Sequence, residues 1–185
     1  MKVYINPGHD QKYDSGAVNP TTGLRECDVA LKIGSAVKDY LEAAGCECRL
    51  LQSDNLYYDS AYADRSVAVC EDANEWSADV FVSIHCNAFN GMARGTETLC
   101  YNHMSDGGNL AQCIQNQIVG ALGTVDRGVK ERNDLIVLRR TGMPAVLVET
   151  AFIDNADDVQ LLVGRQDEFA RAIARGVTDY QCSLQ

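Results

Sequence analysis

The run VFVSI, residues 80–84, constrains this chain more than any other feature. Its side chains are almost all apolar, so neither face of a strand made from it tolerates water, and both faces must be covered. AVLVE (145–149) repeats the pattern, and LIVLR (135–139) reads as a further buried strand. Amphipathic stretches of helical length lie between such runs. Residues 26–44 bring Val29, Ala30, Ile33, Val37, Tyr40, Leu41 and Ala44 to one face, and Gly45 stops the helix. Further helices are expected over 64–76, 107–122, 155–163 with Asn155 as cap, and 166–180. KVYIN (2–6), CECRLLQ (46–52) and GTETLCY (95–101) supply the remaining strands, the last at a sheet edge. Short apolar strands alternating with helices define the α/β class: a mostly parallel twisted sheet of about six strands with helices on both faces.

A length of 185 residues fits one domain over 1–180, leaving 181–185 as a tail that begins a linker. The net charge of −10 excludes the basic surface a nucleic-acid binder needs. It also gives no long-range attraction to an anionic wall or lipid layer. No apolar run is long enough to span a bilayer, so membrane insertion is not expected. The opening MKVYINPGHD reads as a strand and not as a signal peptide. The expected origin is therefore the cytoplasm, or excision from a longer secreted protein. Eight cysteines are scattered through periodic segments and are expected to be mostly small buried hydrophobes in a reducing compartment.

In open α/β sheets, ligands bind beyond the carboxyl ends of the strands. KVYIN runs into His9, VFVSI into His85 and AVLV into Glu149, while Glu26 opens the helix after the first loop. Strand parity puts His85 and Asn87 on one face and Cys86 on the other. Two histidines and a carboxylate from separate segments are the ligand set of a catalytic zinc site, whose open fourth position lowers the pKa of water to about 7. Each residue also has a plainer reading. A histidine at a strand end is often structural, and Glu26 suits a helix N-terminus in any protein. Glu149 is harder to dismiss, because an unpaired carboxylate in a buried strand is costly. His103, in the polar loop YNHMSDGG, reads as a surface residue.

NPGHDQKYDSGAVNPTTGLRECDVAL, RSVAVCEDANEWSADVFVSIHCNAF, GTETLCY and DRGVKERNDLIVLRRTGMPAVLVETAFIDNADD follow one another in this order. Together they resemble the zinc-dependent N-acetylmuramoyl-L-alanine amidases of the amidase-3 type, found in bacterial wall hydrolases and phage endolysins. The resemblance implies one zinc ion held by His9, Glu26 and His85, with Glu149 as catalytic base and acid, and with Asn87 as a candidate substrate contact. It implies peptidoglycan as substrate, cut between N-acetylmuramic acid and L-alanine, by a catalytic domain expected to be a monomer. The chain departs from the family pattern at Cys86, where another small residue is usual, and at Ala151, where glycine is frequent. Two other readings remain to be separated by experiment: a wall-binding domain without chemistry, and a zinc peptidase cutting within the stem peptide.

Overall fold

The computed structural model describes residues 1–57 and 65–184. Along them run β1 (Lys2–Pro7), α1 (Glu26–Ala43), β2 (Glu47–Leu50), α2 (Val69–Glu75), β3 (Val80–Asn87), β4 (Thr96–Cys100), α3 (Asp106–Leu122), β5 (Asp126–Glu131), α4 (Ile136–Arg139), β6 (Ala145–Phe152), α5 (Ala156–Gly164) and α6 (Gln166–Ser183). The strands form one sheet in the order β2-β1-β3-β6-β4-β5. Pairing is parallel from β2 through β1 and β3 to β6, antiparallel between β6 and β4, and parallel again between β4 and β5.

Period-two alternation divides the core into two layers, one on each face of the sheet. Val80, Val82, Ile84 and Cys86 of β3 share a cluster with Val3, Ile5, Val146 and Val148, covered by α1, α3 and α6 through Ile33, Ile114 and Ile173. Phe81 faces the other way, with Tyr4, Leu99, Ala145 and Leu147, under Cys70 of α2 and Val137 of α4. The continuous apolar run is thus explained by burial on both faces.

Four expectations are corrected. LIVLR is not a strand: residues 136–139 are the short helix α4, and the sixth strand is the polar segment Asp126–Glu131. The apolar run is needed over the sheet face, where Val137 and Leu138 are buried. A sheet-edge strand needs no such run, because it is half solvated. GTETLCY is not at an edge, since β5 covers the outer side of β4 and every residue of β4 is buried. The helix expected over 64–76 begins at Val69, with residues 65–68 outside any helix or strand and Asp64 outside the described residues. The last helix continues to Ser183, through residues assigned to a tail.

Candidate active site

β1 ends at Pro7, and Gly8 prolongs its pairing with β3 by donating to the Ile84 carbonyl at 2.8 Å. His9 therefore emerges beside His85, and their ring centroids lie 5.0 Å apart, edge to face. Both neighbouring glycines are needed for close approach. A Cβ at Gly8 would lie 2.3 Å from His85 Cε1, and one at Gly16 would lie 2.5 Å from His9 Cδ2. His9 itself has φ of 65°, and Gly16 shares that left-handed conformation, so the loop is bent around the imidazole.

Glu26, the first residue of α1, lies between the two rings. Its Oε2 is 3.1 Å from His9 Nε2, and its Oε1 is 3.0 Å from His85 Nδ1. Backbone amides hold the carboxylate in place: Ala17 donates to Oε2 at 2.8 Å and Cys86 donates to Oε1 at 3.0 Å. One ligand-type atom from each of His9, Glu26 and His85 can be chosen so that all lie within 4.8 Å of one another. Burial alone would raise the pKa of Glu26, but the two histidines outweigh it and hold the carboxyl well below the usual range. His9 shows the converse. Burial opposes its charged form, yet hydrogen bonds and charge from Glu26 and Asp14 raise it to about 9.

Asp14 was not among the residues expected at the site. Its Oδ2 lies 2.7 Å from His9 Nδ1, and its Oδ1 accepts from Gly16 N at 3.0 Å. A carboxylate on one ring nitrogen fixes the orientation of an imidazole and its tautomer. The signal in the sequence was the D-S-G turn just after His9, a short loop able to return a carboxylate to the ring.

Glu149 stands on β6 directly beside His85 of β3, and Glu97 of β4 stands beside Glu149 in turn. Three polar residues thus occupy one row across adjacent strands. Oε2 of Glu149 is buried with no hydrogen-bond partner among the described residues. Burial raises the pKa of this carboxyl, and the nearby Glu26 and Glu97 charges add to that against the opposing pull of His85 and His9. The result is about 7. Glu97 is well satisfied: Asn87 Nδ2 donates to Oε1 at 2.9 Å, while Arg127 Nε and Lys130 Nζ donate to Oε2 at 2.9 and 2.7 Å. It too escaped the sequence reading, although a glutamate inside the otherwise uncharged strand TETLC is a signal of its kind.

Cys86 lies on the opposite face, as its parity requires. Its Sγ is 3.5 Å from Thr150 Oγ1, within the cluster under α1 and α6, and full burial keeps the thiol well above its ordinary pKa. Cys27, Cys46, Cys70 and Cys100 are also buried, and all eight cysteines are free thiols. His103 is exposed, as expected. A cleft of about 290 Å³ opens over the histidine pair, bounded by His9, Asp14, His85, Leu135, Ile136 and Leu147 among others. The segment misread as a strand therefore forms a wall of this cleft.

Residues 3–179 match the family described as N-acetylmuramoyl-L-alanine amidase. The N-acetylmuramoyl-L-alanine amidase LytC of Bacillus subtilis is 37% identical over 184 residues, covering 96% of this chain and 35% of that protein. The endolysin of Bacillus phage SPP1 is 37% identical over 181 residues, covering 94% of this chain and 62% of its own length. This chain thus spans well under the full length of both. Among solved structures, N-acetylmuramoyl-L-alanine amidase AmiC2 of Nostoc punctiforme superimposes with a TM-score of 0.84 at 34% identity, over 98% of this chain and 97% of that one.

Proposed function

The chain belongs to the N-acetylmuramoyl-L-alanine amidase family, and from that premise we propose that it is a peptidoglycan amidase in which His9, Glu26 and His85 hold one zinc ion while Glu149 moves the protons of the reaction. The observation that carries this reading is the convergence of three ligand-type atoms within 4.8 Å, beside a carboxylate oxygen that is buried and unpartnered. Two imidazoles and one carboxylate suit zinc, a borderline-soft cation. A glycine-lined loop packs against both rings closely enough to exclude even a Cβ. When bound, zinc supplies Lewis acidity toward the amide carbonyl and makes water acidic enough to attack near neutral pH.

The chain's own groups do the rest. Asp14 holds His9 so that Nε2 faces Glu26 and the site. Glu149, beside His85 and with a buried, unpartnered Oε2, is placed to accept a proton from water and return it to the alanine nitrogen as the amide breaks. Leu135 and Ile136 line one side of the cleft with apolar surface. Asn87 braces Glu97 through its amide nitrogen, and its amide oxygen is the group we assign to substrate contact. We read the chain as a monomeric catalytic domain that binds no nucleic acid and acts on the bacterial wall.

Replacing Glu149 with glutamine is expected to lower wall hydrolysis at least 100-fold while one equivalent of zinc is retained. Zinc content and amine release from purified peptidoglycan measure the two. Full activity in that variant would remove Glu149 from the mechanism. Mass spectrometry of the digest separates the alternatives. Products that leave L-alanine attached to muramic acid identify a peptidase, and no amine release from zinc-loaded protein identifies a domain without chemistry.

A further inference from the structure

The strand β5 carries an arrangement that the reaction as described does not use. Arg127 is fixed on two sides. Its Nε donates to Glu97 Oε2 at 2.9 Å, and its guanidinium lies over the ring of the buried Phe152, 4.9 Å from the centroid. Neither of its terminal nitrogens has a hydrogen-bond partner among the described residues, and 31% of the side chain is exposed. Lys130 reaches the same Glu97 oxygen, so two cations share one carboxylate. The pair is next to the site, because Glu97 pairs directly with Glu149. β5 is thus two strands from Glu149, roughly 10 Å across the sheet.

We propose that Arg127, supported by Lys130, forms a subsite that binds a carboxylate of the stem peptide on the leaving-group side of the cleaved amide. The inference rests on the amidase reading above. A guanidinium held at Nε and across its face presents its remaining N–H groups as a planar fork, the geometry that matches a carboxylate through two parallel hydrogen bonds. Because the side chain is already ordered, little conformational freedom is lost on binding. The reach is suitable. A carboxylate on the residue after L-alanine lies two residues from the cleaved nitrogen, at most about 7 Å along an extended chain, and the Arg127 side chain leans back to Glu97 to meet it.

The test compares N-acetylmuramoyl-L-alanyl-D-glutamate with its γ-carboxyl blocked as the amide and its α-carboxylate free, and the same compound as the α,γ-diamide, using the zinc-loaded chain at low salt. Wild-type kcat/KM is expected to favour the free carboxylate by on the order of tenfold, the size of one charge-assisted bidentate contact. In Arg127→Gln the ratio is expected to fall close to one, with an unchanged circular dichroism spectrum, and Arg127→Lys is expected to retain only part of it. A wild-type ratio near one, or a ratio that survives in Arg127→Gln, overturns the subsite. The wild-type ratio needs no variant, so a folding defect in Arg127→Gln leaves it decisive. Equal hydrolysis of both compounds defeats the subsite alone. Hydrolysis of neither by zinc-loaded protein defeats the amidase reading and the subsite with it.

Discussion

Glu149 shows how a single carboxyl trades stability for chemistry. In the unfolded chain it ionises near its ordinary value of 4.5, and in the folded chain near 7. Between those values the unfolded state gives up its proton and the folded state keeps it. Stability therefore falls as pH rises from about 4.5 to about 7, and the full cost, at most about 3 kcal/mol, is present above that window. Glutamine has no charge to bury. In metal-free protein, Glu149→Gln is expected to be the more stable of the two at pH 8 and to show little difference at pH 4. Urea denaturation in the presence of a chelator measures both, and equal midpoints at pH 8 would contradict the buried-charge account. Asp14 supports a second expectation. It touches His9 and reaches no other proposed ligand through a hydrogen bond, so Asp14→Asn is expected to weaken zinc binding by about 10–100-fold without unfolding the chain. Competition against a chromogenic chelator reads that directly. The sequence singled out His9 and Glu26 because they follow a strand and open a helix, and His85 and Glu149 because a polar group follows an apolar run, although β3 and β6 continue past both to Asn87 and Phe152. Asp14 and Glu97 were not singled out, because their roles come from partners that only folding brings near: His9 through a bent loop, and Asn87, Arg127 and Lys130 across strands.

At the scale of elements, parity carried most of the information. Alternation along β3 separates His85 and Phe81 from Cys86 and Ile84 without any knowledge of the tertiary structure, and the two core layers follow that division. Periodicity failed where an apolar run was too short to distinguish a strand from one buried helical turn, which is why α4 was misread. It failed again for β5, where an edge position left little apolar signal. The helix layer on the far face gives a prediction independent of catalysis. Gly176 of α6 packs so closely on α3 that an added Cβ would lie 2.5 Å from Ile114 Cα. Backbone cannot step aside as a flexible side chain can, so Gly176→Ala is expected to destabilise the fold by roughly 1–3 kcal/mol. Thermal unfolding should show a lower midpoint, while activity per folded molecule stays at the wild-type level because the cleft opens on the other face of the sheet.

For the whole molecule, the decisive quantity is the mismatch between its charge and that of its target. With a net charge of −10, long-range forces oppose approach to a wall that is itself anionic. The attractive groups near the cleft, Arg127 and Lys130, act only at contact and are partly neutralised by Glu97. The range of the repulsion depends on salt: the screening length is about 30 Å at 0.01 M and about 10 Å at 0.1 M. Hydrolysis of intact sacculi by this chain alone is therefore expected to rise as ionic strength increases from 0.01 to about 0.15 M. Hydrolysis of a small uncharged muramoyl-alanine amide should stay constant over the same range, since it feels no such field and its cleavage reports only the site. Turbidity loss of sacculi and amine release from the small amide, run in parallel, separate approach from chemistry. A steady fall of sacculus hydrolysis with salt would mean that Arg127 and Lys130 at the sheet edge, and not the net charge, govern how the enzyme meets the wall.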